Sequence, residues 1–117
     1  MAALFPVIEG GPTQDFSGVA LYRYYEELIA LAQEQDIKTL NDFEYFDPEF
    51  MDDLGVEMEE EQVEWHPIRD GIEAIDFLIL HPSTPNESAL HEDLKDLIRI
   101  LRTSESEGKG WRLEQDI

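Results

Sequence analysis

The chain has no cysteine, few basic residues and no long apolar run. Lack of cysteine removes disulfide frameworks, thiolate metal sites and cysteine nucleophiles, and it fits a reducing cytosol. Only 8 residues are Lys or Arg, against 28 Asp and Glu, for a formal net charge of −20. Such an excess opposes attraction to phosphate backbones and to anionic membranes, which sets direct nucleic-acid binding aside. The most apolar later run, "IDFLIL", falls far short of the ~20 residues that span a bilayer. The opening "MAALFPVIEGG" has no basic n-region and too short an apolar stretch for a signal peptide. These absences predict a soluble cytoplasmic protein with no membrane partner.

What is present supports a folded core. The 117 residues match the size of a single domain, expected to span 1–117, and apolar content is 42%. The charge is uneven. Residues 1–64 carry 17 acids and 2 bases, and residues 65–117 carry 11 acids and 6 bases.

Periodicity suggests mostly helices. Leu4 to Ile8 is a short apolar lead, which Pro6 limits to an edge strand. "SGVALYRYYEELIALAQEQ" reads as one helix over 18–35, with Ser17 or Asp15 as its N-cap and Leu21, Tyr25, Leu28 and Ala32 on one face. Ile37, Leu40 and Phe43 in the following connector are expected to plug the core. Asp47 and Pro48 open a short helix that Gly55 ends.

Pro67 opens the next helix, where Ile68, Ile72, Ile75 and Ile79 share a face and Gly71 leaves room for a neighbouring helix. Phe77 points nearly opposite, so the helix should be covered on two sides. The β-rich end, Ile75 to Leu80, could be a strand, but Asp76 and the longer period favour helix. "TPNE", Thr84 to Glu87, has the pattern of a capping box before a helix with Leu90, Leu94, Leu97 and Leu101 inward. "WRLEQDI" alternates as a terminal strand, with Trp111, Leu113 and Ile117 on one side and Arg112, Glu114 and Asp116 on the other. The expected fold is mainly α, with α+β character at the margin. It has a compact three-helix core, a short additional helix and a small sheet from the N- and C-terminal segments.

The motifs argue against most chemistry. His66 and His81, at opposite ends of one helix, lie about 22 Å apart at ~1.5 Å per residue and cannot share a zinc. His91 in "HEDL" does not form HExxH. No start at Asp47, Asp52 or Asp53 satisfies the oxygen spacing of a calcium-binding loop around Gly55. A nucleophile elbow and a Gly-rich phosphate loop are both lacking. Asp76 is the acid most embedded in apolar sequence, but helical phase places it at the stripe's edge. The expectation is no catalytic residue, no metal and no cofactor.

The remaining signal is acidity. From Asp42 to Glu64 there are eleven acids, and no basic residue occurs between Lys38 and Arg69. Charge runs are usually solvated faces. The functional reading is that Glu57, Glu59, Glu60, Glu61 and Glu64, with Trp65 at the margin, form a docking edge for a basic protein. The leading expectation is a non-enzymatic interaction or regulatory module that uses an acidic face. The alternatives are a hydrolase-like or metal-dependent enzyme, and a DNA-mimic or immunity-type inhibitor of a basic protein.

Overall fold

The computed structural model describes residues 2–11, 16–45, 53, 55 and 64–116. Leu4, Pro6 and Ile8 alternate inward along the first strand, β1 (Ala3–Ile8). A two-residue strand, β2 (His66–Pro67), and β3 (Gly110–Asp116) complete an antiparallel sheet in the order β1-β3-β2. The β1–β3 register runs from Ala3 opposite Asp116 to Ile8 opposite Trp111. Pro6 therefore lies on an edge strand, where its missing N–H costs least. Trp111 and Leu113 are fully buried, whereas Arg112 and Glu114 alternate to the other face. Ile117 lies outside the described residues.

The helix expected over 18–35 is two helices, α1 (Val19–Arg23) and α2 (Tyr25–Glu34), broken at Tyr24. Neither expected cap is used. Ser17 makes no side-chain cap, and Asp15 lies outside the described residues; Gly18 occupies the cap position at φ +71°. The Gly18 carbonyl accepts the Leu4 N–H at 3.1 Å, and a Cβ on Gly18 would collide with the Leu4 carbonyl. This close approach requires glycine. α1 is thus bolted to β1, while α2 packs on the next helix, and the break at Tyr24 lets each half meet its own neighbour.

A 3-10 turn over Leu40–Phe43 follows, with Leu40 and Phe43 buried as expected of the connector. Gly55 has φ +76°, the left-handed conformation of a helix terminator. The start expected at Asp47 and Pro48 lies outside the described residues.

α3 (Ile68–Leu80) is helical through the ambiguous Ile75–Leu80 stretch. Its most buried face is Ile68, Gly71, Ala74, Ile75 and Leu78; Ile72 and Ile79 are half-buried. The expected isoleucine stripe is rotated because the indole of Trp111, not another helix, sits against Gly71. A Cβ there would overlap the ring. Phe77, on the other side, is half-buried with its ring edge-on to His81 at 5.2 Å.

α4 (Ser88–Glu105) buries Leu90, Leu94, Leu97 and Leu101 completely. The capping box expected at Thr84–Glu87 does not form. The buried Thr84 hydroxyl donates to the Leu78 carbonyl at 2.6 Å, and the Thr84 N–H donates to the His81 carbonyl at 3.2 Å. Thr84 closes the end of α3 instead of opening α4, because α3's last carbonyls also need donors. The chain is accordingly a compact mixture of helices with a small three-stranded antiparallel sheet. No helix among the described residues is long and apolar enough to cross a membrane.

Candidate functional site

Of the residues expected to dock a partner, Glu57, Glu59, Glu60 and Glu61 lie outside the described residues. Glu64 and Trp65 are described, and their setting is specific. Glu64 is exposed and Trp65 half-buried, immediately before β2. Trp65 can lie here because Gly110 has no side chain; a Cβ on Gly110 would come within 2.7 Å of the Trp65 Cβ.

Beside Trp65 stands Arg112, on the outward face of β3. Its guanidinium carbon lies 4.4 Å from the Trp65 ring centroid and 4.2 Å from that of Tyr45. Tyr45 is held in place by its own N–H, which donates to the Leu113 carbonyl at 2.9 Å. Glu114, two residues along the same strand face, accepts from Arg112 Nε at 2.9 Å. Glu64 Oε1 is 3.9 Å from Arg112 Nη1. The Arg112 side chain is only 16% exposed, so its ring contacts fall toward the desolvated end of the cation–π range, ~2 kcal/mol. Tyr45 and Trp65 bracket the densest acidic stretch of the sequence, and one arginine holds both.

The desolvated acids are elsewhere. Glu44 is buried, with its carboxylate accepting from the Tyr25 hydroxyl and from Gln115 Nε2 at 2.6 Å. Burial pushes the Glu44 carboxyl above the usual carboxylate range, against the pull of those two hydrogen bonds. The Tyr25 hydroxyl is pushed up by burial and by its bond to Glu44. Asp93, also buried, is pushed up by burial and drawn back by backbone N–H groups at the start of α1. Internal donors take both Glu44 oxygens and, at Asp93, Oδ2, which is the arrangement of structural ties. Asp76 is half-exposed and lies 3.3 Å from Arg102.

The histidines stand apart. His66 is buried in β2, edge-on to Phe43 at 5.2 Å, and burial lowers its pKa. His81 ends α3, its Nδ1 accepting from the Ser83 N–H at 3.0 Å, and His91 lies half-buried in α4. Among the described residues no group of three or more His, Asp or Glu is arranged to hold a metal ion. An open groove of about 390 Å³ runs past Tyr25, Ile29, Thr39, Asn41 and Asp42; within it Asp42 Oδ2 accepts from the Thr39 hydroxyl at 3.3 Å and from the Thr39 N–H at 2.8 Å, capping the 3-10 turn.

Sequence reasoning named Glu64 and Trp65 but not Tyr45, Arg112 and Glu114, which the structure places beside them. The strand alternation already put Arg112 and Glu114 on one face. Nothing local in the sequence pointed to Tyr45, which reaches Arg112 only through the pairing of Glu44 beside Leu113. No protein family, curated protein or solved structure matches the chain.

Proposed function

We propose that the chain is a small, non-enzymatic interaction or regulatory module that meets a basic protein through its acidic surface. The observation that carries this reading is the internal use of positive charge. Six of the eight basic residues, Arg23, Lys38, Arg99, Arg102, Lys109 and Arg112, lie within 4.0 Å of a carboxylate of the same chain. The remaining carboxylates, a net excess of −20, face solvent counterions or a basic partner with few bases of the chain left to compete. Complementary charge of this kind raises association rate and selects against acidic partners.

Glu64 and Trp65 supply an exposed carboxylate beside a half-buried aromatic, a pairing suited to the margin of an interface. In this reading α2, α3 and α4 are the supporting core, and the protein works in the cytosol, where the lack of cysteine carries no cost. The test is a pull-down from the source-cell lysate at low and at moderate salt. The native chain is compared with one carrying Glu59→Gln, Glu60→Gln and Glu61→Gln together. Partners should be basic, captured less at moderate salt, and captured less by the variant. Equal capture by both chains at every salt concentration would reject the acidic docking edge.

A further inference from the structure

Arg112 sits in a slot that its own reach does not fill. The guanidinium lies over two aromatic rings and Glu114 takes its Nε, but the Glu64 carboxylate is 3.9 Å from Nη1, beyond hydrogen-bond distance. The Glu64 side chain is 66% exposed and faces solvent at the slot's mouth. A planar, weakly hydrated guanidinium suits two ring faces and two carboxylates; a compact, strongly hydrated ammonium suits them less.

We infer that Tyr45, Trp65, Glu64 and Glu114 form an arginine-recognition slot, which the free chain fills with its own Arg112 and a basic partner fills with an arginine of its own. The inference rests on the acidic-surface reading and names the partner's recognised group. A partner arginine entering from solvent meets Glu64 directly, where Arg112, tethered to β3, falls short. Exchange frees Arg112 to pair elsewhere on the complex. Because Arg112 is tethered, it competes at high effective concentration and keeps the slot closed to weak or scattered cations. The slot thus discriminates between a partner that offers an arginine backed by further contacts and one that is merely basic.

The experiment measures binding of a short arginine peptide and a lysine peptide of equal length, by fluorescence anisotropy at low ionic strength. Arg112→Ala opens the slot and should tighten the arginine peptide by about thirtyfold, the worth of the ring contacts. The lysine peptide should gain no more than it does with Arg99→Ala, which removes the same charge from an exposed position on α4. Adding Trp65→Ala to Arg112→Ala should abolish the arginine-specific gain. If circular dichroism shows that Arg112→Ala has lost its fold, Arg112→Lys decides, with a smaller gain in the same direction. Equal gains for both peptides, or a gain that survives loss of Trp65, would overturn the slot and leave the acidic-surface reading standing. Failure of every folded variant to bind either peptide at low salt would overturn both.

Discussion

The carboxylate of Asp93, in the second turn of α4, accepts the backbone N–H groups of Ala20 at 3.1 Å and Leu21 at 3.3 Å. A residue more than seventy positions away thus caps α1. The first amides of a helix need acceptors, and here water cannot supply them because Asp93 is 5% exposed. Asp93→Ala should cost roughly 2–3 kcal/mol, since it leaves buried donors unpaired. Asp93→Asn keeps one oxygen and should cost about 1 kcal/mol. Urea unfolding of the two variants gives the comparison; equal losses would mean that the oxygen kept by Asn does not serve the Ala20 and Leu21 N–H groups.

Gly71 sets a contest between two effects. Replacing a mid-helix glycine with alanine normally gains about 1 kcal/mol of helix propensity. Here the new methyl would overlap the Trp111 indole, whose ring is fully buried and has no room to retreat. Overpacking should win, with Gly71→Ala destabilising by roughly 1–3 kcal/mol and altering the near-ultraviolet dichroism of Trp111. A variant as stable as the native chain would place the indole elsewhere.

Thr84 tests the correction at the α3–α4 junction. Thr84→Val removes the hydroxyl that donates to Leu78 and should cost about 1 kcal/mol. Thr84→Ser retains the donor and should cost clearly less. Glu87 accepts instead from the Tyr24 hydroxyl and from Arg23, so the two residues do not share a bond. A double-mutant cycle between Thr84 and Glu87 should show coupling below about 0.5 kcal/mol. Strong coupling would restore the capping box.

The pH dependence follows from burial of Glu44 and Asp93. Both carboxyls are pushed above the ordinary range, so the folded chain keeps their protons at a pH where the unfolded chain has released them. Stability therefore falls as pH rises from the ordinary carboxylate range through the raised values, and returns on acidification. His66, pushed down by burial, acts in the opposite sense, losing stability as pH falls from the ordinary histidine range to its lowered value. Glu44→Gln separates the contributions, since it leaves His66 and Asp93 in place and retains polar atoms for Tyr25 and Gln115. From about pH 8 to about pH 5, the native chain should gain more in urea midpoint than Glu44→Gln does. Identical changes in the two proteins would show that Glu44 does not titrate differently on folding.

The relation of sequence to structure divides by distance along the chain. The Leu90, Leu94, Leu97 and Leu101 stripe and the alternation of Trp111 with Arg112 were legible because period and burial are local properties. The pairing of the two terminal strands is the long-range exception: two short apolar segments each needed a partner, and the rest of the chain read as helical. Other long-range choices were not legible. Thr84 had equally good local grounds to cap α4 or to close α3, and only the position of Leu78 decides. Tyr24 breaks a helix that periodicity makes continuous. At the candidate site, Trp65 stood out as an aromatic beside acids, but its link to Tyr45 and Glu114 depends on an arginine nearly fifty residues later.

The place of β3 in the sheet has a consequence for how the chain acquires its fold during synthesis. Among the described strands, the one that β1 and β2 both pair with is the latest in chain order. β1 emerges first and must wait, unpaired, until Gly110–Asp116 has been made, and Gly71 waits as long for the indole that covers it. The helices α3 and α4 can associate earlier, because they are adjacent in sequence and in space. A nascent chain that stalls before Trp111 therefore exposes an apolar strand edge at Leu4 to Ile8. Pairing of β1 with β3 is therefore a late step, governed by the closure of the long loop between Ile8 and Gly110.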